Sequence, residues 1–200
     1  MQPIRTYETW PPLNSVKSLS GSAGFSLMEL SLVVAILFIL GAVAVPNTLQ
    51  MLHANRVAGE AQNLARQLSL ARQRAGADFT WAQVVINASS SPTSYTVQTC
   101  TTKATSNCTA YSSEGGTQYI LSGITLGFGS SSGPAGSQLT AAQTTTVTFN
   151  SRGIPIDSGG SPTANDTIYL TDDQGNACAV SVTLSGHINV WRYSHGWNSL

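Results

Sequence analysis

The chain has 200 residues and a formal net charge of zero, with 9% charged and 42% hydrophobic side chains. That balance excludes an intrinsically disordered chain, which combines low hydrophobicity with high charge. It also excludes recruitment of nucleic acid by the overall field of a basic protein. A large share of the apolar content sits in one run near the N-terminus, so the remainder is enough for a single ordinary domain.

Residues 1–24 carry Arg5 and Lys17 against Glu8, prolines at 11 and 12, and no apolar core, and they end in Ser22-Ala23-Gly24. From Phe25 to Val45 the only ionisable side chain is Glu29. A helix of that length, at ~1.5 Å per residue, covers the ~30 Å hydrocarbon core of a bilayer. A secretory signal places its small residues after the apolar region; here they come before it. A carboxylate at the centre of a membrane helix costs about 2.5 to 3.5 kcal/mol, and less near the headgroups, so Glu29 requires a partner. A cut between Gly24 and Phe25 would supply one. It frees an α-amino group close to Glu29, and such groups on neighbouring molecules could pair inside an apolar bundle. It also removes a polar leader that would keep helices from packing side by side. Pro46, directly after the run, removes one helical hydrogen bond and is expected to kink the helix where it leaves the bilayer.

Past Pro46 the helical pattern continues to about Gly76. Val57, Ala61, Leu64, Leu68, Ala71 and Ala75 recur at alternating spacings of four and three, which makes one apolar stripe. Arg56, Glu60, Asn63, Gln67 and Arg74 fall off the stripe, and Arg56 with Glu60 makes an i,i+4 ion pair. The alternation of small Ala with Leu suits packing on a sheet; a coiled-coil seam uses Leu, Ile or Val at nearly every position.

Beyond Gly76 the period changes to strand-like runs at 81–87, 94–99, 119–128, 144–150, 166–171, 177–185 and 187–192, separated by Gly, Ser, Pro and Asn clusters. "DDQGN" at 172–176 predicts a tight hairpin, and Gly186 a second one or a bulge. "GSSSGPAGSQ" at 129–138 predicts a surface loop. Of three cysteines, Cys100 and Cys108 are close and flanked by Thr, Ser and Asn, where a disulfide would staple a loop in an oxidising compartment. Pairing of either with Cys178 stays open at this level. Without a Cys-x-x-Cys or a His cluster in the sequence, nothing predicts a metal or a cofactor.

No nucleophile elbow accompanies His187 or His195, so they define no hydrolytic triad with Asp172 or Asp173. The two aspartates are expected to bond the backbone of their turn, and they lack the alternating oxygen pattern of a calcium loop. From residue 80 onward Lys103, Arg152 and Arg192 face Glu114, Asp157, Asp166, Asp172 and Asp173. This acidic excess argues against nucleic acid as the partner. Trp191 is expected under the helix or at a sheet edge, Trp197 as an exposed contact, and Arg152 as a turn residue.

Gly24-Phe25-Ser26-Leu27-Met28-Glu29-Leu30, followed by an apolar helix and Pro46, resembles the N-terminus of type IV pilins and type II secretion pseudopilins. The runs "LARQLSLARQRA", "FNSRGIP" and "LTDDQGNACAVSVTLSGHINV" resemble in particular the H-type general secretion pseudopilins and the T- and U-type minor pilins. One difference is local: the family leader usually has a basic residue before the Gly, where this chain has Ser22 and Ala23.

The resemblance implies an α+β fold in which a long N-terminal α-helix, transmembrane in its first half, packs on a C-terminal antiparallel β-sheet head. It divides the chain into a leader at 1–24, a transmembrane assembly helix at 25–46, an amphipathic continuation at 47–77 and a β-rich head at 78–200. It further implies that a prepilin peptidase cleaves after Gly24 and N-methylates Phe25, and that Glu29 neutralises the N-terminus of an adjacent subunit. The implied partners are other pilins or pseudopilins, the peptidase and an inner-membrane assembly platform. The implied place is the bacterial inner membrane, single-pass, with the head in the periplasm or on an extracellular filament. The implied role is structural, in a pilus or in protein secretion, with no catalytic residue. Two other readings stand beside it: a DNA-receptor minor pilin for competence, and a plain single-span membrane protein with a β ectodomain. The basic Gly-Arg-x-Arg motif of some T-type pilins is replaced here by Gly186-His187-Ile188-Asn189.

Overall fold

A computed structural model describes residues 24–102, 108–131, 139 and 142–200, with the backbone alone at 43. The leader expected over 1–24 lies outside the described residues except for Gly24, as does most of the loop expected at 129–138. The chain divides into a unit that ends at Val43 and a second that begins at Ala44.

The first unit is the start of α1 (Leu27–Ala77). Ser26 caps it: the Glu29 N–H donates to Ser26 Oγ at 3.3 Å and the Leu30 N–H to the Ser26 carbonyl at 3.1 Å. Ser26-Leu27-Met28-Glu29 has the sequence of a capping box, in which an acid at the third helical position also favours the positive end of the helix dipole. From here the helix is apolar on every side, the pattern of a segment meant for a nonaqueous environment on all faces. It continues past Pro46 without interruption. Its last turn closes as a Schellman motif: Thr80 N–H reaches the Ala75 carbonyl at 3.2 Å over Phe79, which takes a positive φ of 50°.

In the second unit the predicted stripe is the buried face of α1. Val57, Ala61, Leu64, Leu68, Ala71 and Ala75 are all buried. They meet two antiparallel sheets. The first contains β1 (Ala82–Asn87), β2 (Ser94–Cys100), β3 (Tyr111–Tyr119), β5 (Thr146–Phe149) and β6 (Pro155–Ile156), in the order β3-β2-β1-β5-β6. The second contains β4 (Ile124–Leu126), β7 (Asp166–Asp172), β8 (Ala177–Val182), β9 (Ile188–Tyr193) and β10 (Trp197–Ser199), in the order β10-β9-β8-β7-β4. Alternation decides which side chains face the helix: Ala82, Val84 and Ile86 from β1, Val147 and Phe149 from β5, Ile168 and Leu170 from β7, and Cys178, Val180 and Val182 from β8.

Several expectations need correction. The run at 119–128 is not one strand: Tyr119 ends β3, paired with Ser94 of β2, Leu121 to Gly123 turn, with Ile124 N–H on the Leu121 carbonyl, and Ile124–Leu126 pairs against β7 in the other sheet. The positive φ of Gly123 and Gly127 bounds the extended segment on both sides. β3, in the Ser/Gly-rich "YSSEGGTQY", has no alternating apolar signal because it buries almost nothing. Glu60, expected in solvent beside Arg56, is 6% exposed and makes no ion pair with Arg56 among the described residues. Two sheets wrap the helix, so the covered arc is wider than one stripe. Burial pushes the Glu60 carboxyl up, and burial first and the Glu60 charge second push the Tyr95 phenol up.

Both expected hairpins form. Asp172 N–H bonds the Asn176 carbonyl at 3.1 Å between β7 and β8. Between β8 and β9 the Gly186 N–H bonds the Thr183 carbonyl at 2.8 Å, with Gly186 at a φ of 75°.

Candidate functional site

Two regions carry the sequence-predicted residues. The first is the N-terminal segment. Gly24 and Phe25 precede α1, and Phe25 is 81% exposed. Leu27, Met28, Leu30, Leu32, Leu37, Phe38, Ile39 and Leu40 are exposed as well. Exposed apolar surface of this extent marks an interaction with membrane or protein. Glu29 sits in the first helical turn, where its backbone N–H is held by Ser26. In this unit α1 therefore presents an apolar surface with one carboxylate near its start and no internal cover.

The second region is on the head. The turn after β7 is built on Asp172: its Oδ1 accepts from the Gln174 and Asn176 N–H groups at 3.0 and 2.8 Å, and its Oδ2 accepts from Asn176 Nδ2 at 2.8 Å. The aspartate that bonds its own turn is as expected. The neighbour that α1 brings to it was not visible in the sequence: His53 Nδ1 stands 4.0 Å from Asp172 Oδ2. His187 lies in the β8–β9 turn, its N–H on Thr183 Oγ1, and His195 lies between β9 and β10 at a φ of 58°. A cavity of about 280 Å³ opens here, lined by His53, Arg56, Leu121, Gly123, Asp172 and Asp173 among others.

Elsewhere on the head, Arg152 occupies a turn whose N–H groups at Arg152 and Ile154 are held by the Asn150 side chain, the turn role expected of "NSRG". Arg74 Nε meets Glu114 Oε2 at 3.1 Å; the arginine is exposed and the glutamate half-buried with this oxygen covered. The aromatic tail departs from expectation. Trp191 packs with Leu139, Tyr169 and Ala179 on the face of the second sheet opposite the α1 core, and donates its indole N–H to Ser181 Oγ at 2.8 Å. Trp197, expected to be an exposed contact, folds back in β10 with its ring 5.5 Å from Tyr169 and 5.4 Å from Tyr193. The reason is that face of the sheet: Tyr169 is fully buried there, and an indole edge supplies cover with favourable edge-to-face geometry.

Cys100 and Cys108 form a disulfide with a Cα–Cα distance of 5.9 Å, which links the end of β2 to the segment just before β3. Cys178 is a buried thiol in β8, pushed up to about 11 by burial in the core.

These features define a class: a helix long and apolar enough to cross a membrane, continuous with the core helix of an antiparallel two-sheet head. Two solved structures are similar to the chain. One is the minor pseudopilin EpsH from the type 2 secretion system of Vibrio cholerae, with a TM-score of 0.45 and 13% identity over 68% of this chain and 95% of that one. The other is the type IV minor pilin FimU of Pseudomonas aeruginosa PAO1, with a TM-score of 0.40 and 14% identity over 67% and 87%. No protein-family model matches the sequence, and no curated protein matches it.

Proposed function

We propose that the chain is a minor pilin or pseudopilin, a non-catalytic structural subunit of a type IV pilus or type II secretion filament. The observation that carries this reading is the exposed apolar start of α1 with its one carboxylate, Glu29, in the first turn directly behind Gly24-Phe25. A prepilin peptidase cleaves after Gly24 and methylates Phe25. The apolar half of α1 holds the subunit in the inner membrane, and an assembly platform passes it to a filament of other pilins or pseudopilins. The new α-amino group at Phe25 lies at the positive end of its own helix dipole, where a cation is disfavoured. The Glu29 carboxylate of a neighbour offsets that cost in an apolar bundle, which favours one axial register. The head is displayed in the periplasm or on an extracellular filament, where the Cys100–Cys108 disulfide persists.

The reading predicts that this chain is recovered, by mass spectrometry, in filaments sheared or extracted from cells that make it, at substoichiometric amounts relative to the major subunit. A chain that stays wholly in the membrane fraction while filaments form without it contradicts the proposal.

A further inference from the structure

We propose that the end of the head nearest the apolar run, the turn at Leu121 to Gly123 together with α1 at Leu49 to Arg56, is a lipid-contact surface that rests in the headgroup layer of a phospholipid bilayer, which requires the membrane span of the reading above but no filament. From Leu30 to Leu52 no side chain ionises, and His53 and Arg56 are the next that do. The apolar run closes at Val45, the far limit of a ~30 Å hydrocarbon core. The headgroup layer beyond that limit is ~5 to 8 Å deep, and His53 stands ~12 Å past Val45 along α1. Leu49, Met51 and Leu52 are exposed in between. The helix therefore crosses the headgroup layer with apolar side chains that the head leaves uncovered, and it reaches its first cations at the outer edge, where interfacial anchors lie.

The head begins at that level. The Leu121 to Gly123 turn shares a cavity of about 280 Å³ with His53 and Arg56. Leu121 is 46% exposed, and Tyr119, the last residue of β3, is exposed two positions before it. An apolar side chain and a tyrosine beside cations at a membrane boundary make up an interfacial anchor. A helix tilt of ~20°, the average in membranes, lowers a turn ~10 Å off the axis by ~3 Å, which brings Leu121 into the layer.

Charge decides how this surface binds. Asp172 and Asp173 line the same cavity as His53 and Arg56, so this end of the head has no cationic excess for anionic lipid to meet. What remains is apolar insertion, which is indifferent to headgroup charge, and the occupant is the bilayer surface itself. The other end of the head supplies the comparison. Leu184 is 52% exposed in the β8–β9 turn, two residues before Gly186, where a Cβ would meet Arg72. Arg72 lies ~28 Å further along α1 than His53. Exposure does not separate the two leucines; distance from the membrane does.

The test places a polarity-sensitive fluorophore on Leu121→Cys or on Leu184→Cys in the full chain, in phosphatidylcholine vesicles with or without phosphatidylglycerol. Both positions are exposed, Cys178 is buried, and Cys100 and Cys108 are paired, so the label goes to the new thiol of a folded chain. At 121 the expected result is a blue-shifted emission and a loss of fluorescence when the lipid headgroups carry a nitroxide quencher, in both lipid mixtures. At 184 neither change is expected. No quenching at 121, equal quenching at 121 and 184, or quenching at 121 only with phosphatidylglycerol overturns the proposal while leaving the membrane span intact. A chain that alkaline carbonate washes from the vesicles overturns the span, and this surface with it.

Discussion

Glu29→Gln is expected to leave the chain folded, inserted and cleavable after Gly24, yet to lower its recovery in filaments by ~100-fold or more. Removal of one partner from a buried ion pair costs about 3 to 5 kcal/mol, because the other charge is left in an apolar surrounding. In the proposed filament the uncompensated charge is the α-amino group that cleavage after Gly24 would create on the adjacent subunit. Glutamine is the informative substitution because Glu29 also occupies the third position of a capping box behind Ser26. Glutamine serves in that box as well as glutamate does. If local capping were the whole role of Glu29, Glu29→Gln would assemble normally and only a change such as Glu29→Val would matter. The charge pair requires the opposite: Gln and Val fail alike, and Asp, which keeps the charge on a shorter stem, recovers part of the loss.

Gly186→Ala is expected to destabilise the head by about 2 to 5 kcal/mol, the sum of a left-handed backbone penalty of ~1 to 2 and overpacking of ~1 to 3. Gly186 has a φ of 75°, but conformation is only half of the reason it is glycine. A Cβ at this position would overlap the Gly153 carbonyl oxygen and press on Arg72 Nε at 3.1 Å. Gly153 is itself at a φ of 72°, and a Cβ there would press on the same arginine, at 3.0 Å from Arg72 Nε. The "SRGI" turn, the β8–β9 turn and the α1 surface therefore meet at backbone distance, and two glycines make the approach feasible. Gly175→Ala is the control, because Gly175 has a similar φ of 82° and nothing within 4 Å of its Cβ position. Thermal unfolding of the full chain, followed by tryptophan fluorescence, should show a much larger loss at 186 than at 175. Equal losses at the two positions would mean that the close approach is unimportant.

What could be read from the sequence was local or periodic. The Gly24 to Leu30 motif is contiguous, the α1 stripe repeats with the helical period, the two hairpins carry their turn residues, and Cys100 lies only eight positions from Cys108. What could not be read depends on the other side of a contact. Glu60 looks solvated until two sheets are wrapped about α1. β3 carries no apolar alternation, since its neighbour β2 supplies the ladder and little of β3 is buried. β10 is three residues long, below the length at which a period can appear. Trp197 is recognisable as an aromatic anchor, but that its partner is Tyr169 follows only from the β10-β9-β8-β7 order. The approach of His53 to Asp172 joins residues from opposite parts of the chain, and no spacing rule connects them.

In the proposed function Gly24-Phe25 is a processing point and the helix behind it a membrane-stored assembly element. The most direct measurement is the intact mass and N-terminal sequence of the chain purified from the membranes of cells that make it. The expected product begins at Phe25 and carries one methyl group on its α-amino nitrogen. A chain that retains residues before Phe25, with its phenylalanine unmethylated, would contradict it.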